Sequence, residues 1–96
     1  MATEEEVKGY IRRFIEDKGG VHKDFCVGIS TSPPTRLSQH GVREDDDSYY
    51  TYASTSEVAR RVEQHFLDLG CKGGGGGGDE DSTGVYVYKR NDHTEP

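Results

Sequence analysis

Residues 25–30, Phe-Cys-Val-Gly-Ile-Ser, are aromatic, β-branched or small, and they predict a buried strand. The following eleven residues constrain the chain further. Ser32 precedes Pro33 as an N-cap precedes a proline in a first helical turn, and Gly41 stands where a short helix would end. The expected order is strand, tight turn, short helix. On that helix Arg36 and His40, four residues apart, project from one face, while Leu37 is left to anchor another face to the sheet. An arginine and a histidine just beyond a strand end suit an anion. They equally suit a solvated helix face, and spacing alone leaves both readings open.

A chain of 96 residues holds one hydrophobic core. Leu, Ile, Val and Phe number only seventeen, slightly under the ~20% below which disorder becomes a concern. Their concentration in periodic segments argues for a small packed core with loose loops. Cys26 and Cys71 lack the paired spacing of a zinc site or disulfide framework, so reduced thiols and a cytoplasmic setting are expected. The acidic start of the chain and the absence of a long apolar run suggest no signal peptide, no anchor and no membrane partner. The net charge of −6 is unevenly distributed. Ten of the eighteen acids lie in residues 4–6, 44–47 and 79–81, leaving eight acids against twelve basic residues elsewhere. A basic working face therefore remains compatible with an acidic chain.

Thr3 with Glu6 forms a capping-box pattern, and Val7, Tyr10, Ile11, Phe14 and Ile15 follow at the spacing of an amphipathic helix that Gly19 and Gly20 stop. Arg12 and Arg13 fit its solvated face better than a phosphate contact. Residues 42–47 predict a loop. Their four adjacent acids lack the alternating ligands and turn glycine of a calcium loop. Residues 48–53 predict a second strand, with Tyr50 and Tyr52 on one face and Tyr49 on the other. Such tyrosines could stack bases or pack in a core. Ser54 and Glu57 suggest a second capping box, after which Val58, Val62, Phe66 and Leu69 mark the buried stripe of a helix closed by Gly70. Glu63 borders that stripe, where a carboxylate must find a partner, such as Arg60, or lie beside a cleft. Residues 73–78 are six glycines followed by acids, which fit a flexible connector over residues 73–83 rather than a phosphate loop. Residues 84–89 alternate as a third strand, with Val85 and Val87 on one face and Tyr86 and Tyr88 on the other. The expected fold is α+β, a small three-stranded sheet, antiparallel or mixed with the antiparallel form favoured, flanked by helices. It would occupy residues 1–90 as a single domain, with a disordered tail at 91–96.

The stretch from Cys26 to His40 resembles part of the GIY-YIG nuclease domain. That family has a strand ending in Tyr-Ile-Gly, an arginine eight residues after the glycine and often a histidine four residues later. Gly28, Arg36 and His40 keep both spacings, and Cys26-Val27-Gly28 stands where Tyr-Ile-Gly would be. The segment from Ala59 to Phe66 resembles the family's later helix, which carries a metal-binding glutamate and points to Glu63. The family's first strand, Gly-Ile-Tyr, finds its closest match in Gly84-Val85-Tyr86 near the C-terminus, as in a circularly permuted domain. The resemblance implies a metal-dependent endonuclease hydrolysing DNA phosphodiesters. Arg36 would stabilise phosphate charge, Glu63 would hold Mg2+ or Mn2+, Tyr86 would orient or deprotonate water, and His40 would share that role or contact phosphate. Cys26 departs from the family by lacking a phenolic hydroxyl, and the family's asparagine beyond the glutamate helix is not evident. A related domain that binds or regulates without catalysis is the alternative, and an unrelated small α/β protein with a chance spacing is the third.

Overall fold

The computed structural model describes residues 2–73 and 81–94. Helix α1 (Glu4–Asp17) begins with the expected capping box, Thr3 Oγ1 accepting from the Glu6 amide and Glu6 Oε1 from the Thr3 amide at 2.9 Å. It buries Val7, Ile11 and Ile15. A single 3₁₀ turn (His22–Asp24) then leads into strand β1 (Phe25–Ser30), which is buried along its whole length. Helix α2 (Pro33–Gln39) follows. Strand β2 (Ser48–Tyr52), helix α3 (Ser56–Asp68), strand β3 (Lys72–Gly73) and strand β4 (Gly84–Lys89) complete the order.

The fold is α+β, but the sheet has four strands rather than three, in the order β2-β4-β1-β3. The three expected strands form its antiparallel part. Cys26 pairs with Tyr88 and Gly28 with Tyr86, while Tyr50 pairs with Tyr86 from the other side. The fourth strand makes the sheet mixed, as Lys72 and Gly73 run parallel to Cys26 and Val27. Two residues carry no alternation that could announce a strand. Their extended shape comes from docking on β1 as the chain leaves α3.

Alternation assigns the two sheet faces. Phe25, Val27, Ile29, Val85 and Val87 meet α1 and α3 in the main core, where each fully buried apolar side chain contributes about 1.5–3 kcal/mol relative to exposure. Arg61 Nε donates to Glu4 Oε1 at 2.7 Å and ties the two helices together at the surface. Cys26, Tyr86 and Tyr88 take the other face and pack against Leu37 of α2. Tyr10 and Leu69, expected in apolar stripes, are exposed. Tyr10 lies on the flank of α1 beside the edge strand β2, and Leu69 is the α3 C-cap, past the packed turns. The α3 N-cap is Thr55, whose Oγ1 accepts from the Val58 amide at 3.1 Å, and not Ser54. Ser54 is occupied one step earlier, its amide donating to the Ala2 carbonyl at 3.0 Å.

Of the expected glycine connector, residues 74–80 lie outside the described residues, and Gly73 belongs to β3. The tail expected to be disordered is held as far as Thr94. His93 Nε2 meets Asp46 Oδ2 at 2.5 Å, Asn91 Nδ2 donates to Asp46 Oδ1 at 3.0 Å, and the Asn91 amide donates to Thr94 Oγ1 at 3.0 Å. Residues 95 and 96 lie outside the described residues. Among the described residues no helix is long and apolar enough to cross a membrane.

Candidate functional site

Tyr86 stands in the central strand β4, opposite Gly28 of β1. The glycine there is a requirement of space. A Cβ at residue 28 would overlap the Tyr86 hydroxyl and ring, so the phenol lies across β1 only because residue 28 has no side chain. Strand β3 pairs with β1 only at Cys26 and Val27, so no described strand lies beyond β1 at the level of Gly28. Tyr86 is itself fully buried, with its ring lying across β1 at Gly28.

The strand-turn-helix segment brings α2, with Arg36 and its C-cap His40, to the same face. Pro33 at the start of α2 packs so closely on Gly84 that a Cβ there would overlap its ring, which seats the helix over β4. His40 is the α2 C-cap, and Gly41 follows with φ of +84°, a left-handed conformation that ends the helix and that a side chain would strain. His40 Nε2 lies 3.0 Å from the Tyr86 hydroxyl. Its ring sits between those of Tyr86 and Tyr88, with centroids at 5.7 Å and 5.6 Å. His40 is thus buried, not part of a solvated helix face, whereas Arg36 is half-buried.

Electrostatics link the remaining members. Burial pushes the Tyr86 phenol up to about 12, with Arg36 opposing that rise and Glu63 adding to it. Glu63 itself is half-buried on α3, and its pKa is raised by desolvation, which the Arg60 guanidinium partly offsets. His40 and Tyr86 are in direct contact, Arg36 is carried by α2 on the same sheet face, and Glu63 stands on α3, which packs on the opposite face, and influences the Tyr86 phenol only electrostatically. Glu63 is the one carboxylate among them. Among the described residues there is no group of three or more His, Cys, Asp or Glu that could cage a metal. A single carboxylate completed by water and phosphate oxygens is nevertheless how Mg2+ is commonly held, so this donor set fits a hard divalent cation.

Cys26 lies under the site on the same face as Tyr86. Its thiol is buried and pushed up by desolvation, with a hydrogen bond to Tyr88 opposing the shift. Tyr88 is raised above the ordinary tyrosine range, first by burial and then by that same bond. The Cys26–Tyr88 pair and the placement of Tyr88 against His40 were not singled out from sequence. The alternation of residues 84–89 carried the signal, since it sets Tyr88 on the Tyr86 face. Comparison of the chain with known protein families, with characterised proteins and with solved structures found no match.

Proposed function

We propose that the chain is a circularly permuted GIY-YIG-like domain that hydrolyses DNA phosphodiesters with Mg2+ or Mn2+. The observation that carries this reading is the buried Tyr86 hydroxyl, 3.0 Å from His40 Nε2, whose titration both Arg36 and Glu63 influence. The antiparallel register that puts Tyr86 opposite Gly28 supports the permuted arrangement.

A phenol held near 12 yields almost no phenolate at neutral pH, so Tyr86 is not the base on its own. With Nε2 unprotonated, the phenol donates to His40 while its oxygen accepts a hydrogen bond from the attacking water. The water proton then passes through the hydroxyl to the imidazole, the water oxygen bonds to phosphorus, and the bond from phosphorus to the leaving sugar oxygen breaks. Arg36 offers the phosphate oxygens several donors on one planar cation as negative charge accumulates. Glu63 would hold the divalent cation, which supplies charge stabilisation to the phosphate and leaving oxygen.

One observation favours the second reading, a domain that binds DNA without cutting it. Cys26 occupies the position of the family's second tyrosine, and its buried thiol is engaged with Tyr88. Nicking of supercoiled plasmid with Mg2+, Mn2+ or EDTA separates the two. The nuclease reading requires metal-dependent nicking that falls at least ~100-fold in Arg36→Ala, Glu63→Gln and Tyr86→Phe, with folding retained. Equal cutting by all three variants refutes it. Binding without cutting by the wild type favours the second reading.

A further inference from the structure

Strand β2 is one edge of the sheet, and its tyrosines divide between the two faces. Tyr49 packs on the main core and stacks on Phe14 with centroids 6.2 Å apart. Tyr50 and Tyr52 are paired with Tyr86 and Gly84, so they take the face that carries α2. Their rings meet edge to face at 6.2 Å and 88° and remain 43% and 41% exposed. Core packing thus explains Tyr49 and leaves its two neighbours unexplained. Tyr50 lies one strand outward from Tyr86, about 5 Å away at the backbone, and α2, which carries Arg36, packs on β1, β4 and β2 alike.

We propose that Tyr50 and Tyr52 form a stacking platform for unpaired bases, so that the ligand of this face is a single-stranded nucleic acid whose phosphates reach Arg36. The proposal rests on the phosphodiester reading of the adjacent site and names its substrate class. Every base has a π-face, so two rings along a strand hold a single strand whatever its sequence. A closed duplex offers them no unstacked base. The net charge of −6 opposes polyanion binding as a whole, so the affinity of this face has to come from ring stacking with Arg36 as the local phosphate contact. The acids nearest this strand in sequence are already engaged, Asp46 with His93 and Asn91, and Asp47 with Lys18.

The test is fluorescence anisotropy of a short fluorescein-labelled oligothymidylate and of a duplex of equal length, in EDTA so that nothing is cut. Wild type should bind the single strand more tightly than the duplex. Replacing both rings, Tyr50→Leu with Tyr52→Leu, should weaken single-strand binding by roughly 5- to 150-fold per ring lost, while the paired Phe substitutions retain it. Equal affinity for single strand and duplex, or Leu variants that bind as wild type does, overturns the proposal. So does sedimentation showing that the two rings hold a dimer of this chain while single-strand affinity stays unchanged. If single strands bind through the tyrosines but are never cut, the platform stands and the nuclease reading falls. If the Leu variants cut single strands with unchanged KM, the platform falls and the nuclease reading stands.

Discussion

Gly28→Ala tests the contact on which the site is built. The new methyl would overlap the Tyr86 hydroxyl and ring, and neither strand can withdraw without breaking its ladder. Overpacking of this kind costs about 1–3 kcal/mol. A displaced ring also loses its 3.0 Å bond to His40, worth about 0.5–1.5 kcal/mol. The sum of about 1.5–4.5 kcal/mol corresponds to a Tm lowered by at least ~6 °C in a domain of this size. Tyr86→Phe alone loses only the hydroxyl and its bond. In the double variant the overlapping oxygen is already gone, so the two costs should fall short of their sum by about 0.5–3 kcal/mol. Urea denaturation of the four proteins measures this cycle. Additive costs, or a Gly28→Ala protein that melts with the wild type, would refute the stated geometry.

Glu63→Gln should raise Tm at pH 7 and leave it unchanged at pH 4. The Glu63 pKa is raised in the folded state, so the folded protein binds more protons than the unfolded chain above about pH 4.5, and the wild type alone loses stability as pH rises through that window. Asp46→Asn should do the reverse. Asp46 is lowered by the Arg43 amide and then by His93, so its stabilisation is present at neutral pH and is lost as pH falls through its folded-state value, and the Asn variant should melt below wild type at pH 7 and match it in strong acid. Ser82→Ala should leave stability unchanged or raise it by up to ~1 kcal/mol, because Ser82 Oγ is fully buried with no hydrogen-bond partner among the described residues. A clear fall in Tm for Ser82→Ala would mean that the hydroxyl is satisfied.

Local signals made most of the fold legible. The capping box at Thr3 and Glu6, the apolar spacing of α1 and α3, and the alternation of β2 and β4 each act within a few residues, and each forms as expected. What escaped the sequence depends on contacts between distant segments. The strand at Lys72 and Gly73 exists only by pairing with β1. The start of α3 shifts by one residue because Ala2 engages Ser54. The same division holds at the site. The spacing of Gly28, Arg36 and His40 and the border position of Glu63 could be seen in the sequence. The burial of His40 against Tyr86, across 46 residues, depends on the β1–β4 register, which no local pattern specifies. Tyr50 and Tyr52 had two open readings until the register placed them on the α2 face with their rings exposed.

The central claim is that Arg36, His40, Glu63 and Tyr86 make one metal-assisted site. Residue-resolved NMR during a titration with Mn2+ tests it most directly, since paramagnetic broadening reports proximity to the ion without requiring turnover. The account predicts broadening centred on Glu63 that extends to Arg36, His40 and Tyr86, and that is lost in Glu63→Gln. Broadening confined to the acidic residues 44–47 and 79–81, with Glu63 and Tyr86 left sharp, would contradict it.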